Sequence, residues 1–138
     1  WPWGYLEQVG DSRCEGYGEG KLELLTRDQT MAQALVDEGA LPAESLKTSP
    51  LSHVLVSAIG GEHALPEVTR LEIRDRNSVL LLCSDGLTKH VTDAEIAAQV
   101  GAMTSSEQLC RSLLDLALER GGSDNITILA GRAPGPRD

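Results

Sequence analysis

Hydrophobic and polar positions along the 138-residue chain first alternate with a period near two and later recur with helical spacing. Tyr5-Leu6-Glu7-Gln8-Val9 alternates as a strand does, and Gly10-Asp11-Ser12 breaks it. Residues 13–17 and 21–25 flank Gly18-Glu19-Gly20, the spacing of a hairpin. A helix is expected from Thr30. Thr30 and Gln33 stand at capping-box spacing, Met31 and Leu35 share a face, and Gly39 falls where a C-terminal cap wants a left-handed residue. Residues 42–61, broken by Pro42, Pro50 and Gly60-Gly61, read as irregular, with one short helix over 52–59. Residues 68–73 and 79–83 read as strands around the turn Asp75-Arg76-Asn77-Ser78. Val79-Leu80-Leu81-Leu82 is apolar on both faces, which predicts a central strand covered on both sides.

The clearest helix start follows. Thr92 is placed as N-cap with Glu95 three residues on, and Val91 and Ile96 have the spacing of a hydrophobic staple. A longer helix is expected over 105–120. Leu109, Leu113, Leu116 and Arg120 trace one row, and Cys110, Leu114 and Leu118 widen the stripe. Gly121-Gly122 stops it, residues 125–129 form a last strand, and 132–138 read as a flexible tail. Strands in runs and two adjacent helices predict a layered α+β fold rather than a doubly wound parallel sheet.

Composition narrows the function. A net charge of −9 argues against a nucleic-acid binder and against adhesion to anionic lipid. A hydrophobic share of 41% suits a folded core, no apolar run reaches membrane-span length, and nothing reads as a signal peptide. Cys14, Cys83 and Cys110 are sparse and show no zinc spacing, which predicts buried, inert thiols in a reducing, cytoplasmic setting. The chain opens Trp1-Pro2-Trp3 without Met and crowds three of its four aromatics into five residues. That start fits either a processed or trimmed terminus or a piece cut from a longer chain whose first nine residues paired with something upstream, and composition leaves both open.

Candidate chemistry gathers at three aspartates placed at breaks between elements: Asp11, Asp85 and Asp124. A carboxylate at the mouth of a buried strand is costly unless paired or metal-bound, and three together suit a hard cation, Mg²⁺ or Mn²⁺. Asp-Gly and Gly-Asp pairs also mark ordinary turns, so spacing alone leaves both readings open. His53, His63 and His90 read as surface or packing residues, and no nucleophile elbow, catalytic triad or P-loop is present.

The segments Val9-Gly-Asp-Ser-Arg13, Leu25-Thr-Arg-Asp28, Leu80-Leu-Leu-Cys-Ser-Asp-Gly-Leu87 and Gly121-Gly-Ser-Asp-Asn-Ile-Thr127, in that order, resemble the metal-dependent protein phosphatases of type 2C over residues 5–131. The resemblance implies part of a four-layer α-β-β-α sandwich with antiparallel sheets. It implies hydrolysis of phosphoserine and phosphothreonine in phosphoproteins by a water activated at two Mn²⁺ or Mg²⁺ ions, often opposing a cognate serine/threonine kinase. On the matching positions, Asp85 and Asp124 would be metal ligands, Asp11 would join Asp85 at a third, weaker metal, and Asn125 would support Asp124 from behind. Residues 42–61 would form a flap beside the active site. Gln29 stands where many members carry His, a change expected to matter little to catalysis.

One departure matters. Members of that family begin with an Asn-Glu-Asp-like motif and an Asp-Gly-x-Gly-Gly-His motif, and neither is present here. The chain is therefore expected to be the C-terminal portion of such a domain, over 1–131, with N-terminal strands and helices missing, apolar faces uncovered, and little or no turnover by itself. Two rivals remain: a stress- or sporulation-type regulator phosphatase, and a non-catalytic pseudophosphatase that binds a phosphoprotein.

Overall fold

A computed structural model describes residues 2–73 and 77–134. Trp1, the expected turn at Asp75-Arg76 and the tail from residue 135 onward lie outside the described residues. The strands are β1 Trp3–Gln8, β2 Arg13–Gly18, β3 Lys21–Leu24, β4 Glu67–Glu72, β5 Val79–Cys83 and β6 Ile128–Arg132. The helices are α1 Met31–Asp37, α2 Asp85–Thr88, α3 Asp93–Gly101 and α4 Ser106–Glu119, with 3-10 turns at Ala43–Lys47 and Pro50–His53. This is the expected mixed α+β class with antiparallel pairing. β1 pairs with the downstream strand β4. The chain divides into two compact units, one built, among the described residues, on 2–4, 13–26, 72–73 and 77–134, the other on Tyr5–Ser12 and Arg27–Leu71.

The first unit is a four-stranded antiparallel sheet in the order β3-β2-β5-β6. Its hairpin closes at Glu19 and Gly20, which take φ of 51° and 79° between the paired Gly18 and Lys21. Positive φ at both central residues gives the turn whose twist matches that of the flanking strands. β5 is central, but among the described residues its helices cover one face only. Val79, Leu81 and Cys83 are buried, whereas Leu82 is 38% exposed and Leu129, its neighbour across β6, is 63% exposed. Alternate side chains point to opposite faces and the helices pack on one of them, so within the described residues the strand is covered on one side rather than on both as its composition suggested. Leu87, Val91, Ile96, Val100, Leu109, Leu113 and Ala117 complete that core.

Local signals explain these helices. Thr92 accepts from the Glu95 amide while Glu95 reaches back to the Thr92 amide, a complete capping box, and the staple residues Val91 and Ile96 are both buried. In α4 the buried row is Leu109, Leu113, Ala117, which descends one face at intervals of four. Leu118 is instead 55% exposed, so the expected wide stripe is narrower. Gly121 (φ 124°) and Gly122 (φ 51°) donate to Leu118 and Ala117 carbonyls, the reverse-turn pattern that ends a helix. β6 starts at Ile128 rather than residue 125, because the preceding residues are committed to other partners described below.

In the second unit Thr30 caps α1 through the Gln33 amide, and Gly39 (φ 75°) ends it. The capping box is half made, since the Gln33 side chain donates to Asp37 rather than back to Thr30. The helix expected over 52–59 is displaced to Pro50–His53, where Ser49 caps it, and Val54 is already extended. Leu55 then bridges to Thr30, so this stretch runs along α1's start as extended chain.

Candidate functional site

Ser84 follows β5 and holds the N-cap position of α2 without a side-chain cap bond, so Asp85 opens a one-turn helix whose last flanking residue is Lys89. Asp124 lies in the segment joining α4 to β6. Sequence separation is bridged by backbone. Ser84 N–H donates to the Thr127 carbonyl at 3.0 Å, its hydroxyl accepts from the Thr127 N–H at 2.9 Å and donates to the Asn125 carbonyl at 3.2 Å. Gly86 allows this contact. A Cβ there would stand 2.2 Å from the Asn125 carbonyl oxygen, so only glycine lets the two segments meet.

Once the backbones are joined, the carboxylates converge on one cation. Lys89 Nζ lies 3.1 Å from Asp85 Oδ2 and 2.7 Å from Asp124 Oδ2. Its bonds to Asp124 and then Asp85 push the ammonium further up, so it stays charged. Asp124 Oδ1 accepts from the Asn125 N–H at 2.8 Å, which leaves Oδ2 for the cation.

The loop bearing Asp124 is also held from behind. His90 Nε2 accepts from the Ser123 amide at 3.3 Å and lies 2.8 Å from its hydroxyl. Arg120 donates to the His90 carbonyl at 2.7 Å and forks onto Glu95 at 2.7 and 2.6 Å. The fork, then the Thr92 amide, draws the Glu95 carboxyl down to about 2.

Glu15, on the core face of β2, is a separate oddity of this unit. It is 2% exposed and its Oε2 finds no hydrogen-bond partner among the described residues. Burial first, then Asp93, raises its carboxyl to about 7 against the opposing pull of Arg13. The neighbouring Cys14 thiol is pushed up by burial and then by Glu15; Cys14 and Cys83 are buried as expected, whereas Cys110 is half-buried.

Asp11 belongs to the other unit and sits in the bend after β1. Two amides fix that bend. Gln8, 8% exposed, donates to the Gly10 and Ser12 carbonyls at 3.2 Å each and accepts from the Arg27 amide. Gln29 accepts from the Gly10 N–H at 2.8 Å and donates to the Leu65 carbonyl at 2.8 Å. Nearby, Arg27 pairs with Asp37 beside a cleft of about 260 Å³ that Gln29, Ser57 and Leu65 also line.

The structure thus brings Asp85, Asp124 and Asn125 together and sets Asp11 in its own unit. Among the described residues no group of three or more His, Cys, Asp and Glu side chains gathers as a metal-holding cluster. Sequence reasoning missed Lys89, although its spacing of four from Asp85 is a helix-pair signal. It also read His90 as a bland residue. Gln8 and Glu15 carry no local sequence signal at all. No helix among the described residues is long and apolar enough to cross a membrane.

Residues 54–126 match the family model described as Protein phosphatase 2C. The chain is 36% identical over 124 residues to the serine/threonine protein phosphatase PstP of Mycobacterium tuberculosis, an alignment that covers 90% of this chain and 24% of that protein. The S. agalactiae serine/threonine phosphatase structure superposes with a TM-score of 0.89 at 29% identity, over 97% of this chain and 55% of that one. The PstP catalytic domain in complex with 2 manganese ions superposes with a TM-score of 0.81 at 33% identity, over 96% of this chain and 54% of that one. The chain spans about half the length of these solved relatives. With over half of its residues inside the matched family model, and with the Ser84-Asp85-Gly86 and Asp124-Asn125 segments stitched together within that match, the chain belongs to the protein phosphatase 2C family.

Proposed function

We propose that this chain supplies Asp85 and Asp124 to a binuclear Mn²⁺ or Mg²⁺ centre of a serine/threonine phosphoprotein phosphatase. One observation carries the reading: both carboxylates share the Lys89 ammonium, at 3.1 and 2.7 Å. A cation already fits between them, and an all-oxygen donor pair is what hard divalent ions take. When bound, two such ions neutralise phosphoryl oxygens and activate a water for in-line attack on phosphorus.

The chain's own residues bind and orient. Asp85 is presented by the first turn of α2, and Asp124 by a loop whose Oδ1 is tied to the Asn125 amide. Asn125 thereby supports the ligand from behind. Asp11, in its amide-held bend, serves a further and weaker ion, and residues 42–61 form a flap that engages substrate. Phosphoproteins modified by a serine/threonine kinase are the substrate class. The relatives named as serine/threonine phosphatases support this assignment.

The test is phosphate release from a phosphothreonine peptide by the full-length protein. Release should depend on Mn²⁺ and stop with chelator; no release with either metal sinks the reading. The 138 residues alone should bind Mn²⁺ weakly and turn over p-nitrophenyl phosphate little. Robust turnover by them would show that this stretch holds a complete site.

A further inference from the structure

The ammonium between the two carboxylates is covalently part of the chain, and that has a consequence for any ion that binds there. We propose that Lys89 is a built-in competitor for the divalent cation: it neutralises Asp85 and Asp124 in the metal-free form and must swing out before an ion can use them. The inference rests on the metal-ligand reading of those two residues and adds a residue that regulates them.

Three features support it. First, Lys89 Nζ contacts the same oxygen type on both partners, Oδ2 of Asp85 and Oδ2 of Asp124, so it occupies the position a shared ion would take. Second, the contact is built rather than accidental. Asp85 and Lys89 stand four apart around a single helical turn, while Asp124 is brought up by the Ser84 and Gly86 contacts with residues 125–127. Third, the cluster is open to solvent. The side chains of Lys89, Asp85 and Asp124 are 29%, 33% and 43% exposed, so an ion can enter and a flexible four-carbon stem can leave. His90, the next residue, is tied to Ser123, so the backbone need not move when the lysine does.

Such a lysine preorganises and inhibits together. It keeps two like charges side by side without metal, and it imposes on the metal the loss of two ion pairs. Pairs this exposed are modest, so the effect on affinity is moderate rather than absolute.

The test is calorimetric titration of the full-length protein with Mn²⁺ alone, without substrate. Lys89→Met and Lys89→Gln should each bind Mn²⁺ about five- to tenfold more tightly than wild type. Lys89→Arg, which keeps the cation, should stay within about twofold of wild type. The Mn²⁺-induced rise in melting temperature should likewise be larger in the two neutral variants. Unchanged or weaker Mn²⁺ affinity in both neutral variants, with Asp124→Asn still abolishing binding, overturns the competitor role and leaves the metal site standing. Wild-type affinity in both Asp85→Asn and Asp124→Asn overturns the metal site and the competitor with it.

Discussion

Asp85 and Asp124 are positioned by backbone packed on backbone and by a shared charge, whereas the bend that carries Asp11 is positioned by two neutral amides, Gln8 and Gln29. In the first region a glycine permits the approach and a lysine balances it. In the second, each amide spends both its donor and its acceptor on main-chain groups, so the backbone that carries Asp11 is fixed by neutral hydrogen bonds. The difference bears on how each region answers to ions. A charge-held pair can exchange its partner for another cation, whereas the amides that hold the bend bind main-chain groups and keep their partners when an ion arrives.

The largest effect should come from breaking the charge-held pair. In the full-length protein, Asp85→Asn or Asp124→Asn should cut Mn²⁺-dependent hydrolysis of p-nitrophenyl phosphate about a hundredfold or more. Asp11→Asn should cost less than about tenfold at high Mn²⁺. Equal losses at all three positions would erase the distinction between the two regions.

Next is the approach itself. Gly86→Ala puts a methyl against the Asn125 carbonyl oxygen, an atom of the main chain that cannot turn aside. Urea denaturation should show about 2 kcal/mol or more of lost stability. Wild-type stability in this variant would mean that the two segments separate freely.

Glu15 offers a pH test confined to the first unit. Its folded carboxyl is raised from 4.5 to about 7, so folding favours the protonated acid. Below 4.5 both folded and unfolded chains hold that proton; between 4.5 and 7 only the folded chain keeps it. Stability from this group is therefore lost as pH rises through that window. Glu15→Gln should remove the slope and be more stable than wild type at pH 8 by about 1–3 kcal/mol. Parallel pH profiles for the two proteins would exclude a buried protonated Glu15.

The smallest effect belongs to the amide-held bend. Gln8→Ala strands the Gly10 and Ser12 carbonyls and should cost about 1 kcal/mol. Amide exchange at Arg27, whose N–H Gln8 accepts, should speed up. Unaltered exchange would show that Gln8 holds nothing.

Much of this architecture is written locally. The Thr92–Glu95 box, the Thr30 cap and the Gly18-to-Lys21 turn depend on residues within four positions of one another, so their spacing predicts them. Asp85, Asp124 and Asn125 were legible as motif positions, and the Ser84 and Gly86 contacts give the reason for the residues beside them. What stayed hidden is long-range or a matter of which face is covered. Lys89 reaches Asp124 across 35 positions and His90 reaches Ser123 across 33, distances over which periodicity carries no information. Val79-Leu80-Leu81-Leu82 has the composition of a doubly buried strand, yet its helices cover one face. Composition specifies affinity for a cover, not its presence. Residues 52–59 misled for a related reason: Pro50 set the helical turn early, and the main chain beyond it was taken by Thr30 and Met31.

Leu82 and Leu129, side by side across β5 and β6 and substantially exposed among the described residues, also bear on how these 138 residues by themselves should behave in a test tube. A leucine strip of that kind attracts its like without regard to orientation. Sulfate and phosphate salts strengthen the attraction and low urea weakens it. For this chain the choice of buffer salt is thus a choice of colloidal state: the same preparation that stays dispersed in dilute chloride should cluster as sulfate is added, at a pH where its charge of −9 would otherwise keep molecules apart.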